Sequence, residues 1–212
     1  MKLFLDTAEV KDIEERVSSG LISGVTTNPT LIRKSGRDPW KVYNDIIELG
    51  VTDLSIEVYG KDANQLVENG VAAHKNYGNV ATIKVPCTPD GLKACRYLSK
   101  IGIRVNVTLI FSVSQAILAS IAGATYVSPF IGRLDDNSLT GLSLIADIGD
   151  LYQKQQIKTQ VLAASVRDVQ SVGKAFELGA NICTIPPKVF DGMSDHVLTE
   201  TGLAQFEVDF LA

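Results

Sequence analysis

The chain is poor in sulfur and imidazole. Among its 212 residues are three cysteines, Cys87, Cys95 and Cys183, and two histidines, His74 and His196. The cysteines are odd in number and show neither metal nor redox spacing, so a disulfide framework is not expected. The histidines are too few and too isolated for a zinc site. Positive charge is not in excess either: 20 Lys and Arg against 24 Asp and Glu leave a formal net charge of −4. That balance gives no general attraction to nucleic acid or to an anionic membrane. No run is long and apolar enough to span a bilayer, and Met1-Lys2-Leu3-Phe4-Leu5-Asp6 meets a carboxylate too soon for a signal peptide. The expectation is a cytoplasmic chain with reduced thiols. A Pro/Ser linker, a charge block and a composition shift are all missing, so residues 1–212 read as one domain.

What is present is an alternation. Short β-branched runs are expected as strands at Lys2–Asp6, Gly24–Thr27, Asp53–Val58, Val80–Val85, Ile103–Thr108, Tyr126–Pro129, Thr159–Ala163 and Ile182–Ile185. Between them lie helical patterns, among them Thr7–Ser19, Lys61–Asn76, Thr88–Lys100, Ser112–Ala122, Ser138–Lys154 and Ser165–Leu178. Thr7, Thr88-Pro89 and Ser112 read as helix starts, and Gly50, Gly102, Gly123 and Gly179 as helix exits. Strict alternation means parallel strands, and eight units close into a (β/α)₈ TIM barrel. A doubly wound sheet is the other candidate, but it favours a glycine-rich turn after the first strand, where this chain has Leu5-Asp6-Thr7-Ala8. Residues 195–212 follow the eighth unit as an additional C-terminal helix. Val197, Leu198, Leu203, Phe206, Phe210 and Leu211 give it an apolar face that needs a partner.

One residue breaks its strand. Lys84 sits in Val80-Ala81-Thr82-Ile83-Lys84-Val85-Pro86, which otherwise reads as fully buried. Burial strips an ammonium of the water that stabilises it, and the neutral amine is the nucleophile of Schiff-base chemistry. The alternative is a lysine whose stem packs on the core while its head reaches water. Barrel enzymes build their sites at the carboxyl ends of the strands. Those positions here carry Asp6, Thr26 with Asn28, Glu57, Lys84, Asn106 with Thr108, Ser128 with Arg133, and Ser165 with Arg167. Taken singly, Asn28 before Pro29 reads as a turn and Ser165 as a helix cap. Together they support one chemistry. Lys84 attacks a ketone, the iminium becomes an electron sink, and Asp6 or Glu57 moves the protons, with Thr108 able to hold a water. Arg133 and Arg167, with Ser165 as a neutral donor, suit a phosphate.

These motifs resemble the transaldolase family, most closely its short-chain branch, which includes the fructose-6-phosphate aldolases. The carriers are Leu5-Asp6-Thr7, Gly24-Val25-Thr26-Thr27-Asn28-Pro29-Thr30, Ile83-Lys84-Val85-Pro86, Asn106-Val107-Thr108-Leu109-Ile110-Phe111-Ser112, Ser128-Pro129-Phe130-Ile131-Gly132-Arg133 and Ala163-Ala164-Ser165-Val166-Arg167. The resemblance implies a metal-free, cofactor-free enzyme of the non-oxidative pentose phosphate pathway, with Lys84 carrying a dihydroxyacetone unit. It implies that Asp6 handles the proton of the cleaved hydroxyl, and that Glu57 and Thr108 position the catalytic water. Asn28, Asn106 and Ser128 would hold substrate hydroxyls, and Arg133, Ser165 and Arg167 the phosphate. Glu57, Asn106 and Phe130 resemble transaldolases, where the aldolases tend to carry glutamine in place of Glu57 and tyrosine in place of Phe130. The implied donors are fructose 6-phosphate and sedoheptulose 7-phosphate, and the acceptors erythrose 4-phosphate and glyceraldehyde 3-phosphate. A fructose-6-phosphate aldolase and an idle sugar-phosphate-binding barrel remain the alternatives. The branch also implies a homo-oligomer, a decamer of two stacked pentamers that exchange the C-terminal helix.

Overall fold

A computed structural model describes all residues 1–212. Eight parallel strands form a closed ring in chain order: β1 (Lys2–Asp6), β2 (Ile22–Thr26), β3 (Leu54–Glu57), β4 (Ala81–Pro86), β5 (Val105–Ile110), β6 (Tyr126–Pro129), β7 (Gln160–Ala163) and β8 (Ile182–Ile185). β1 closes the ring by pairing Lys2 with Ile182 and Leu5 with Ile185. The helices are α1 (Val10–Val17), α2 (Pro29–Ser35), α3 (Pro39–Glu48), α4 (Ala63–Tyr77), α5 (Pro89–Lys100), α6 (Val113–Ile121), α7 (Ile131–Asp135), α8 (Gly141–Lys154), α9 (Val169–Glu177), α10 (Pro187–Gly192) and α11 (Val197–Leu211). The (β/α)₈ barrel expected from the alternation is the fold observed.

Side-chain alternation along each strand divides the interior in two. Ile83 and Val85 point outward into the large core between ring and helices, with Leu5, Val25, Leu54 and Val107. The inward set forms a separate plug of Phe4, Tyr126, Leu162, Ala164 and Ile182. Phe4 and Tyr126 meet edge to face, ring centroids 6.3 Å apart. Gly24 makes this possible, because a Cβ there would stand 2.7 Å from the Phe4 ring and from the Asp53 carbonyl oxygen. Near the plug, Asp53 is buried beneath three donors: Thr82 Oγ1 at 2.8 Å, Arg104 at 2.7 Å and the Tyr126 hydroxyl at 2.7 Å. Burial and the bond to Asp53 together hold the Tyr126 phenol well above its ordinary range. The plug and this network fill the barrel below the strand ends, leaving the upper interior for polar groups.

Several boundaries differ from expectation, each for a local reason. The helix expected over Ser165–Leu178 starts only at Val169, because Ser165 has φ 58° and cannot continue a right-handed turn. Its cap is Asp168, whose carboxylate accepts from Ser171 N at 2.8 Å. The helix expected from Ser138 starts at Gly141, since Ser138 also has φ 58°. Thr7 does not cap α1; its hydroxyl accepts from Glu9 N at 3.1 Å, and Glu9 occupies the cap position. β2 begins at Ile22, and β5 runs from Val105 through Ile110, further than the Ile103–Thr108 run. Thr88 and Ser112 cap α5 and α6 as expected, accepting from Gly91 N and Gln115 N. The four helix-exit glycines all have positive φ, from 82° to 101°.

α11 stands apart. No residue in it is buried, and Phe206 and Phe210 are 70% and 89% exposed. Its apolar residues do not form a single face. At 100° per residue, Leu203, Phe206 and Phe210 share one side, while Val197, Val208 and Leu211 share the opposite one. No helix of the structure is long and apolar enough to cross a membrane.

Candidate active site

The strand register brings the polar residues to one end of the ring. Asp6 pairs with Thr26, Glu57 with Lys84, Lys84 with Asn106, and Pro86 with Thr108. Lys84 is 4% exposed, so it is a buried lysine and its head does not reach out to water. Its Nζ lies 3.0 Å from Glu57 Oε2 and donates to the Thr27 carbonyl oxygen at 3.1 Å. A buried ammonium needs such partners, and the carboxylate at this distance can also take its proton.

A cavity of about 120 Å³ opens beside Lys84. Asp6, Thr26 and Asn28 form one side of it, and Asn106, Ser128 and Phe130 another. Arg133 and Ser165 stand at the end formed by the loops after β6 and β7. Its volume suits a molecule of only a few heavy atoms. Larger surface grooves, of about 660 and 610 Å³, lie elsewhere. The first runs between α8 and α9 and touches none of these residues. The second, between α2, α3 and α4, meets the site only through Glu57.

The polar groups are already ordered by one another. Thr26 Oγ1 lies 2.8 Å from Asp6 Oδ1 and 2.7 Å from Thr184 Oγ1. Ser128 donates to Asn106 Oδ1 at 2.7 Å, and Asn106 Nδ2 donates to Ser55 Oγ at 3.3 Å. Burial raises the Asp6 carboxyl above the ordinary carboxylate range, while the Thr26 hydrogen bond and the Lys84 charge pull it partly back. A carboxyl shifted in this way gives up and accepts protons closer to neutrality, which suits general acid–base work. Thr108 is buried, and no protein group engages its hydroxyl. It precedes Leu109, whose φ of 60° sits where the β5–β6 register shifts. The strained bulge turns the strand end beside Thr108.

Nine of the twelve residues singled out in the sequence line this cavity. Glu57 joins through Lys84 and Thr108 through its place on β5. Arg167 does not line the cavity: its guanidinium forms a two-point ion pair with Asp136. Arg133 instead lies over the Phe130 ring, Cζ 4.9 Å from the centroid. Asn28 does more than turn the chain, since its Oδ1 accepts from Leu31 N at 3.0 Å and caps α2. The expected cap role of Ser165 does not hold. Thr184, Ser55, Leu162 and Ala164 were missed in the sequence. Thr184 is the next-to-last residue of β8, and the strand-end criterion extended to that strand would have found it. Across the structure, no three His, Cys, Asp or Glu side chains gather as a metal cage would require.

Residues 3–210 match the family model described as transaldolase/fructose-6-phosphate aldolase. A "probable transaldolase" of Paracoccus denitrificans is 48% identical over 210 residues, covering 99% of this chain and 96% of that protein. One from Symbiobacterium thermophilum is 47% identical over 212 residues, covering 100% and 98%. One from Nitrosopumilus maritimus is 46% identical over 211 residues, covering 99% and 95%. Among solved structures, a mutant flavocytochrome b2 with benzoylformate aligns with a TM-score of 0.61 at 14% identity, over 91% of this chain and 58% of that one. At that identity only the fold is shared. With the family model matching nearly the whole chain and relatives matching at full length, the chain belongs to the transaldolase/fructose-6-phosphate aldolase family of enzymes.

Proposed function

We propose that this protein is a transaldolase, which moves a dihydroxyacetone unit from fructose 6-phosphate or sedoheptulose 7-phosphate to an aldose phosphate. The observation that carries the reading is a buried lysine 3.0 Å from Glu57, opening on the same small cavity as Asp6. Glu57 takes a proton from Lys84, and the free amine adds to the ketone carbon. The carbinolamine loses water to give an iminium, with Glu57 and a water held by Thr108 moving the protons. Asp6 removes the proton from the hydroxyl carried by the far carbon of the bond that breaks, so that this carbon becomes the aldehyde. The electron pair of that carbon–carbon bond flows to the iminium nitrogen, and the aldose leaves. The enamine on Lys84 then adds to the acceptor aldehyde, and the steps reverse. Asn28, Asn106 and Ser128 hold the hydroxyls of the three-carbon unit, and Arg133, Ser165 and Arg167 the distal phosphate.

Phe130 favours transfer over release. It places an apolar ring against the plug beside the cavity and offers no hydroxyl to protonate the enamine. Borohydride added with fructose 6-phosphate should label Lys84. An unlabelled protein would leave a non-catalytic sugar-phosphate binder. Release of free dihydroxyacetone without an acceptor, at the rate seen with one, would make it an aldolase.

We also propose that the protein is a cyclic homo-oligomer assembled through α11, with the decamer of two pentamers as the stoichiometry the family implies. Apolar side chains on both sides of this helix support the reading, since monomers seldom leave such surface in water.

A further inference from the structure

Arg133 and Arg167 are not equivalent. Arg133 has no carboxylate partner and lies over the Phe130 ring at the cavity. Arg167 has both terminal nitrogens, Nη1 and Nη2, on the two oxygens of Asp136. That uses the end of the guanidinium fork and leaves its side, with Nε–H, for another oxyanion. The position of Nε follows from Gly132, where a Cβ would stand 2.7 Å from Arg167 Nε, 3.0 Å from Ser165 Oγ and 2.3 Å from the Ser165 carbonyl oxygen. Arg167 Nε and the Ser165 hydroxyl therefore pack together against Gly132, whose missing Cβ lets them come this close. Ser165 reaches it through a left-handed backbone, φ 58°.

We propose that Asp136 is a positioning residue for the phosphate site: it grips the end of the Arg167 fork so that the Nε edge stays beside Ser165, packed against Gly132. The inference rests on the phosphate site proposed above. Arg167 is about half exposed, and a free arginine there would sample many rotamers. Held by two bonds, it meets the phosphate in one orientation, and Arg133 swings in as the unpaired charge. Asp136 touches no substrate, so its effect passes through Arg167 alone.

The test is Asp136→Asn, which keeps the shape and weakens the two-point grip. KM for fructose 6-phosphate should rise about tenfold, the size of one charge-assisted hydrogen bond lost from ground-state binding. The change in kcat should stay within about twofold. With an unphosphorylated donor, kcat/KM should match the wild-type value. Asp136→Glu should recover part of the affinity. In an Arg167→Ala background, Asp136→Asn should add nothing. An unchanged or lowered KM in Asp136→Asn, with Arg167→Ala still raising it, would overturn the role of Asp136 and leave the phosphate site standing. If Arg167→Ala itself left KM unmoved, the phosphate-site reading would fail. Thermal melts that match wild type would separate a local effect from misfolding, and equal losses with both kinds of donor would count against the proposal.

Discussion

Replacing Asp6 with asparagine separates two things that Asp6 does. The amide has the same shape and its carbonyl oxygen can still accept from Thr26 Oγ1, which now lies 2.8 Å from Asp6 Oδ1. Lys84 keeps Glu57 at 3.0 Å and the Thr27 carbonyl, so formation of the Schiff base should survive. What is lost is a base for the hydroxyl proton. General acid–base groups contribute about 10²–10⁴-fold, or roughly 3–5 kcal/mol of barrier. The expected result is a fall in kcat of that size in a coupled assay for released glyceraldehyde 3-phosphate, with borohydride labelling of Lys84 retained. Stability should move the other way. Burial raises the Asp6 carboxyl above its unfolded value, so the folded chain binds a proton more tightly there than the unfolded one. The stability contributed by that proton is fully present below the ordinary carboxylate range and is lost as pH rises through the raised value. Wild type and variant should therefore melt together at low pH. The variant should become the more stable of the two as pH climbs toward neutrality. A loss of kcat under about tenfold, or loss of labelling along with cleavage, would refute the assignment of Asp6.

Further outcomes follow from individual contacts. Ser165→Gly should relieve the left-handed backbone and stabilise the fold by about 0.5–1 kcal/mol in urea unfolding, once the freer unfolded glycine is counted. The same change should raise KM for phosphorylated donors. Tyr126→Phe removes one of three donors from buried Asp53 and should cost about 1.5–3 kcal/mol in the same measurement, with little change in kcat. Phe130→Tyr should increase release of free dihydroxyacetone in the absence of acceptor, and an unchanged rate would count against the shielding role of Phe130. Removing residues after Asp195 should lower the mass found by light scattering; a full-length chain that already runs as a monomer would end the assembly proposal.

Lys84 was legible because a charge inside an apolar strand has few explanations, and strand-end position identified Asp6, Glu57 and Asn106 once eight strands were counted. Thr184 and Ser55 left no comparable mark, since β-branched and small hydroxyl residues are ordinary in strands. The left-handed turns at Ser138 and Ser165 were invisible for a different reason. Glycine or asparagine usually marks such a position, and serine there is tolerated only because the surroundings impose it. The Asp136–Arg167 pair joins the segments that follow β6 and β7, and it is the pairing of those two strands that brings them together. The same holds for Asp53 with Arg104 and Tyr126. Local pattern identifies elements and their polar exceptions, while partnership across strands needs the fold.

Because β1 is the first strand synthesised and its second neighbour is β8, the ring cannot close until the last strand has emerged. At roughly 5–20 residues per second, β1 waits about ten to forty seconds on the ribosome with one edge unpaired. Thr26 bonds at once to Asp6 and to Thr184 of β8, so the corner around Asp6 is completed by that same late arrival. Catalytic competence thus waits on β8, and the appearance of activity during synthesis should report the moment of closure.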